Sequence, residues 1–180
     1  MSRNRFFRTS ALTGMFAVNS LTGCGEGVLD PTASAQYALT GHVTPLYGSN
    51  TGTYESVTGS SHQTTVTKIV GYGSTDNVYG IKLYWGPGTS KMFGVTNGSS
   101  AQNFDVTGDP VMKVEYSVSS GNLRGVKFTN STSSLSIGNM SGGATSFNDL
   151  DAEFTDVETW KGLVNDKVVI WGFKLYYKSP

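Results

Sequence analysis

Cysteine, proline and charge are all scarce in this chain. One cysteine in 180 residues excludes an internal disulfide. Only five prolines interrupt it, and no long stretch shows capped helical periodicity. Charged residues make up 14%, and the formal net charge is zero. That charge is unevenly spread. Arg3, Arg5 and Arg8 lie at the extreme N-terminus, and no acidic residue precedes Glu26. Setting those three aside leaves 10 basic against 13 acidic residues, a body near −3 with nine scattered lysines. A non-specific nucleic-acid binder needs a basic face to replace counterions, so that class is excluded. No run outside the N-terminus approaches the roughly 20 apolar residues of a membrane-spanning helix. No phosphate-cradling loop, Cys/His metal spacing or nucleophile elbow is present. His42 and His62 have no partner suggesting a triad or a metal site and read as exposed loop residues. No metal, cofactor or enzymatic activity is therefore expected.

The lone cysteine is informative by position. A basic segment "MSRNRFFR" and a modestly apolar stretch "ALTGMFAVNSL" precede it, the layout of a secretory signal peptide. Leu21-Thr22-Gly23-Cys24 resembles the bacterial lipobox. That resemblance implies removal of residues 1–23, lipidation of Cys24 and anchorage on a membrane by several acyl chains. Gly25 after the cysteine, rather than Asp, resembles outer-membrane sorting. Residues 24–42 then read as lipidated cysteine and flexible tether, with the folded part at 43–180.

What is abundant is glycine, 23 of it, with many Ser, Thr and Asn. Short strand-like runs between Gly/Ser/Asn turns predict an all-β fold. Those runs repeat. Val78-Tyr79-Gly80-Ile81-Lys82-Leu83, Leu123-Arg124-Gly125-Val126-Lys127-Phe128 and Ile170-Trp171-Gly172-Phe173-Lys174-Leu175 share one pattern: apolar, any residue, Gly, apolar, Lys, apolar. Their glycines are 45 and 47 residues apart. Glycine inside a strand weakens it, so a threefold glycine predicts a close backbone approach or a kink. Before each copy lies an apolar pair three residues apart: Val66/Ile69, Val111/Val114 and Val157/Trp160. Strand spacing is two, so a bulge is expected in that first strand. A third element carries Phe93-Gly94 with Phe104, Ile137-Gly138 with Phe147, and Tyr47-Gly48 with Tyr54. The last of these precedes the first hairpin and would be completed by the final one. Three four-stranded units closed in this way make a pseudo-threefold β-prism. Ile81, Leu83, Trp85, Val126, Phe128, Phe173, Leu175 and Tyr177 would face its core, with the lysines outside.

The order and spacing of these pieces, with "PLYGSNTGTYES" and "NFDVTGDPVMKVEYSV", resemble the jacalin-related lectins over residues 45–178. The resemblance implies a β-prism I fold that binds carbohydrate without metal at one end. Its site pairs an N-terminal "GGxGG" loop with a "GxxxD" turn in the last hairpin. Here the loop reads Gly48-Ser49-Asn50-Thr51-Gly52, and Gly162-Leu163-Val164-Asn165-Asp166 supplies a literal GxxxD. The carboxylate of Asp166 would accept hydrogen bonds from sugar hydroxyls. The family's aspartate, however, lies three residues before the strand glycine, where this chain has Val169. The equivalent turns of the other hairpins are alternatives: Gly73 with Asp76 and Asn77, and Asn122, beside loops 94–101 and 138–143. Asp and Asn also serve as plain turn formers.

The acidic run "NDLDAEFTDVE" places Asp149, Asp151, Glu153 and Asp156 at close spacing. Without an EF-hand glycine pattern it reads as a solvated strand side rather than a calcium site. Asn97, Asn130 and Asn139 begin glycosylation sequons, read as by-products of composition. The expectation is an outer-membrane lipoprotein whose β-prism binds glycans for adhesion or recognition. The alternative is a β-prism without sugar binding, acting through protein partners or self-assembly in a surface structure.

Overall fold

The computed structural model describes residues 40–56, 64–148 and 152–179. The expected signal peptide, Cys24 and most of the expected tether lie outside the described residues, as do His62, Asp149 and Asp151. Among the described residues there are thirteen strands and no helix. They are β1 (Thr40–Val43), β2 (Tyr47–Gly48), β3 (Thr53–Glu55), β4 (Lys68–Gly73), β5 (Val78–Tyr84), β6 (Ser90–Gly94), β7 (Gln102–Asp105), β8 (Lys113–Ser119), β9 (Asn122–Thr129), β10 (Ser134–Gly138), β11 (Ala144–Asn148), β12 (Glu153–Val164) and β13 (Lys167–Ser179).

The strands form three antiparallel sheets. One runs β6-β5-β4-β7, the second β10-β9-β8-β11. The third runs β1-β13-β12-β3, and β2 shares the β1 edge of β13. Each sheet thus has a hairpin at its centre, flanked by the strand before and the strand after a loop. In the third sheet those outer strands come from the N-terminal segment and the hairpin from the C-terminus, the closure that the repeats predict. β1 begins at Thr40, three residues before the expected start, and pairs with the end of β13 from Thr40↔Ser179 to Val43↔Tyr176. His42 is therefore a strand residue, stacked on Tyr177 at 5.2 Å, and not in a loop.

Period-two alternation sends one face of each hairpin strand inward. Ile81, Leu83, Trp85, Val126, Phe128, Phe173 and Leu175 are buried, and Tyr177 packs partly buried against them. Outer strands contribute Phe93, Phe104, Leu135, Ile137 and Phe147. Each large side chain so buried contributes roughly 1.5–3 kcal/mol before entropy is charged. The lysines stay on the outer face: Lys82 lies 4.8 Å from the Tyr84 ring centre, Lys174 5.6 Å from that of Trp160, and Lys127 3.8 Å from Glu115.

Two expectations change. Each hairpin has a bulge in its second strand, and the third alone also has the expected one in its first, at Thr155 between Phe154 and Val157. Tyr72 pairs with Gly80 and Gly73 with Val78, which skips Tyr79. Ser117 pairs with Gly125 and Val118 with Leu123, which skips Arg124. Trp160 pairs with Gly172 and Lys161 with Ile170, which skips Trp171. Val66 and Val111 precede their strands altogether, so their spacing records no bulge. Aligned on the glycine pairs, Ile69 and Val114 correspond to Val157, and Val66 and Val111 to Phe154. The pair in the third copy is therefore Phe154/Val157, not Val157/Trp160. The offset arises because eight residues separate Tyr72 from Gly80 and Ser117 from Gly125, but twelve separate Trp160 from Gly172. The third hairpin is four residues longer.

Of the acidic run, Asp156 is not solvated. Asp156 is 1% exposed, next to a second bulge at Thr155, and its Oδ1 accepts from Val157 N at 2.6 Å. The Thr155 carbonyl accepts from the Trp85 indole at 2.6 Å. Glu153 remains half-buried and accepts from Thr65 at 2.7 Å.

Candidate functional site

The three hairpin turns and the loops β2–β3, β6–β7 and β10–β11 collect at one end of the sheets. One backbone device repeated three times holds each loop there. Gly80 pairs with Gly94, Gly125 with Gly138 and Gly172 with Gly48. The bulged residue before each hairpin glycine offers its carbonyl to the loop. Tyr79 O accepts from Val95 N at 3.0 Å, Arg124 O from Asn139 N at 2.9 Å and Trp171 O from Ser49 N at 2.9 Å. The approach is so close that a Cβ on Gly80, Gly125 or Gly172 would stand 2.6, 2.3 or 2.3 Å from the carbonyl oxygen of Val95, Asn139 or Ser49. Close backbone approach is thus the reason for the recurring glycine.

From this frame the predicted site residues separate into two groups. In the third repeat, Gly48 and Gly52 have left-handed φ of 91° and 97°. Ser49 Oγ lies 2.6 Å from Thr51 Oγ1 and accepts from Thr51 N, which ties the loop to itself. Between that loop and the last hairpin stands the Trp171 indole. A Cβ on Gly162 would meet it at 2.3 Å, and one on Gly52 at 3.4 Å. Asn165 and Asp166, with φ of 50° and 60°, are the two central residues of the turn between Val164 and Lys167. Two consecutive left-handed residues define a type I′ turn. The four added residues therefore carry Asp166 to an exposed tip, and Val169, at the family's aspartate position, is buried. The loop glycines and Asp166 are not brought together.

In the first repeat, Ser74 Oγ accepts from Asp76 N and Asn77 N, both at 3.2 Å. Asp76 itself is exposed on the turn. A Cβ on Gly73 would meet the Ile137 side chain at 2.6 Å, so this glycine serves packing between sheets. Asn77 and Asn122 do meet. They line a pocket of about 100 Å³ with Ser119, Arg124, Val164 and Trp171. A second groove of about 280 Å³ adjoins it, sharing Ser119 and Arg124 and adding Ser117, Asn139 and Ser141. Its loop is fixed in place: Ser117 Oγ donates to Ser141 O, and Ser141 N donates to Asn139 Oδ1, both at 2.9 Å. On the other side, Asn97 Nδ2 donates to Val168 O at 2.6 Å and Lys167 Nζ lies 5.8 Å from the Tyr79 ring centre. The space between first and third hairpins is thereby bridged.

Arg124 and Trp171 are functional candidates that residue-type reasoning misses, whereas Asn139 belongs to the expected loop 138–143. The signal is present: Arg124 and Trp171 occupy the unspecified position of the repeated motif, which is the bulge. Trp171 Nε1 is buried without a hydrogen-bond partner among the described residues.

The perturbed acids lie elsewhere. Glu158 Oε1 accepts from the Tyr54 and Tyr176 hydroxyls at 2.6 and 2.7 Å. Burial, then that carboxylate, pushes Tyr176 well above the usual phenol range. Hydrogen bonds from Thr107 hold Asp105 below the usual carboxylate range. At Asp109 burial pulls upward, and bonds from Thr132 and Ser131 outweigh it to hold the group low. None of these lines the pocket or groove. Among the described residues no three His, Cys, Asp or Glu cluster as a metal site.

No protein-family model and no curated protein matches the chain. Solved structures do. A Malaysian banana lectin superposes with a TM-score of 0.61 at 10% identity, over 78% of this chain and 100% of the lectin. The fold is that of the jacalin-related lectins. A mannose-binding jacalin-related lectin from Ananas comosus gives 0.60 at 14% identity, over 78% of this chain and 99% of its own. Calystegia sepium agglutinin gives 0.57 at 15%, over 78% and 98%. At such identities the likeness establishes the β-prism and leaves the binding residues to this chain's own geometry.

Proposed function

We propose that the protein binds glycans, through the polar pocket and groove at the loop end of its β-prism, and that a lipid on Cys24 anchors it to a bacterial outer membrane. One observation carries the reading of the site: Asn77 and Asn122, from two different repeats, converge with Arg124 and Trp171 in one pocket that opens into the groove of Asn139. Asparagine amides offer both donor and acceptor to a sugar hydroxyl. The Trp171 ring and the Val164 side chain supply an apolar wall for a pyranose face. The fold of mannose-binding and N-glycan-binding lectins supports the reading. The test is a glycan array with the full chain in detergent, beside Asn122→Ala and Asn77→Ala. Glycan signals that fall in both variants are expected. A folded protein that binds no glycan overturns the proposal. For the anchor, Cys24→Ser should release the protein from membranes; unchanged membrane association overturns it.

A second reading is a β-prism that acts through protein contacts. The Trp171 indole between Gly52 and Gly162 favours it, because it fills the space between the N-terminal loop and the last hairpin, where the family resemblance places the sugar site. The same array separates the two.

A further inference from the structure

We infer that the ligand of this site is an anionic glycan, carrying a carboxylate or sulfate that Arg124 binds; this rests on the glycan-binding reading above. Arg124 is the only arginine after residue 8. It is half-buried and stands where the pocket and the groove meet, lining both. Among the described residues its guanidinium has no hydrogen-bond or ion-pair partner, whereas Lys113, Lys127 and Lys161 each face a carboxylate. No acidic side chain among the described residues lines either cavity. Asp76 and Asp166 sit on neighbouring turn tips, outside the lining.

The bulge explains how the arginine is held. Arg124 is the residue skipped in the β8–β9 pairing, and its carbonyl is fixed by Asn139 N. Its backbone is therefore tied through its carbonyl to the loop that borders the groove. A planar guanidinium with five donors matches a carboxylate or sulfate through paired hydrogen bonds. A neutral sugar closing over Arg124 would remove water from the cation and supply no counter-charge. An anionic sugar supplies it, while Ser119, Asn122 and Asn139 remain available to its hydroxyls. The lining thus selects for charge at one point and for hydroxyls around it.

Titration calorimetry on the full chain in detergent tests the inference, with lactose, sialyllactose and sulfolactose as probes at low and high salt. The two anionic arms show which group is preferred. Sialyllactose or sulfolactose should bind roughly tenfold or more tighter than lactose. That margin should shrink as salt rises. Arg124→Gln should abolish the margin, and Arg124→Lys should keep part of it. Lactose binding as tightly as both anionic sugars, unaffected by Arg124→Gln, overturns the inference while the glycan-binding reading stands. Failure of all three probes, with the array also blank, overturns both.

Discussion

Replacing Gly125 by alanine tests the device on which the loop end is built. The new Cβ would stand 2.3 Å from Asn139 O, 2.6 Å from Asn139 C and 2.9 Å from Met140 Sδ. The first two are backbone atoms in a loop pinned by Asn139 N to Arg124 O, so neither can yield without breaking that bond. Forcing a methyl into such space costs about 1–3 kcal/mol. Against this, Ala restricts the unfolded chain by roughly 0.4–1 kcal/mol relative to Gly. The net loss should be about 1–2 kcal/mol. At roughly 2–4 °C per kcal/mol for a domain of this size, the melting point should fall by a few degrees. Gly41→Ala is the control, because a Cβ there meets nothing within 4 Å. It should be neutral or slightly stabilising. Urea denaturation followed by circular dichroism reads both. Equal stability of Gly125→Ala and Gly41→Ala would refute the close-approach argument.

Asn130 begins a sequon but is 4% exposed, donates to the Asp105 and Asp109 carbonyls and accepts from Thr132 and Ser133 amides. Asn130→Ala should therefore cost about 1–3 kcal/mol in urea denaturation, since buried partners are left unpaired; a neutral effect contradicts that role. Asp105 and Asp109 are held below the ordinary carboxylate value of 3.8 in the folded state. Their contribution to stability is then fully present above about pH 4 and is lost as pH falls through their folded values. The urea midpoint should drop below pH 4, and less steeply in Asp109→Asn; identical pH profiles contradict the assignment.

Much of this architecture is legible in the amino-acid sequence, and the reasons are local. The motif around Gly80, Gly125 and Gly172 alternates with period two, so its inward faces can be read directly, and they are buried. The Tyr47-Gly48 element can be assigned to the last hairpin because it repeats Phe93-Gly94 and Ile137-Gly138. The position of the bulge is not legible, because Val66 and Val111 precede their strands, a boundary that composition does not mark. The third copy aligns wrongly by pattern, because four extra residues in its hairpin are invisible to a pattern anchored on one apolar pair. Asp156 reads as solvated because a bulge at Thr155 reverses the facing of the next residue. Of the candidate site, Asn77 and Asn122 can be named from hairpin register alone. Arg124 and Trp171 cannot, because their position gains meaning only as the bulge that faces a loop across a glycine pair.

In the proposed function glycan binds in the pocket and groove beside the second hairpin rather than between the N-terminal loop and Asp166. Amide chemical-shift mapping of the full chain, titrated with a glycan that scores on the array, measures this directly. Shifts are expected at Asn77, residues 117–124 and residues 139–141, with Asn165 and Asp166 unmoved. Shifts confined to residues 48–52 and 162–166 would contradict it.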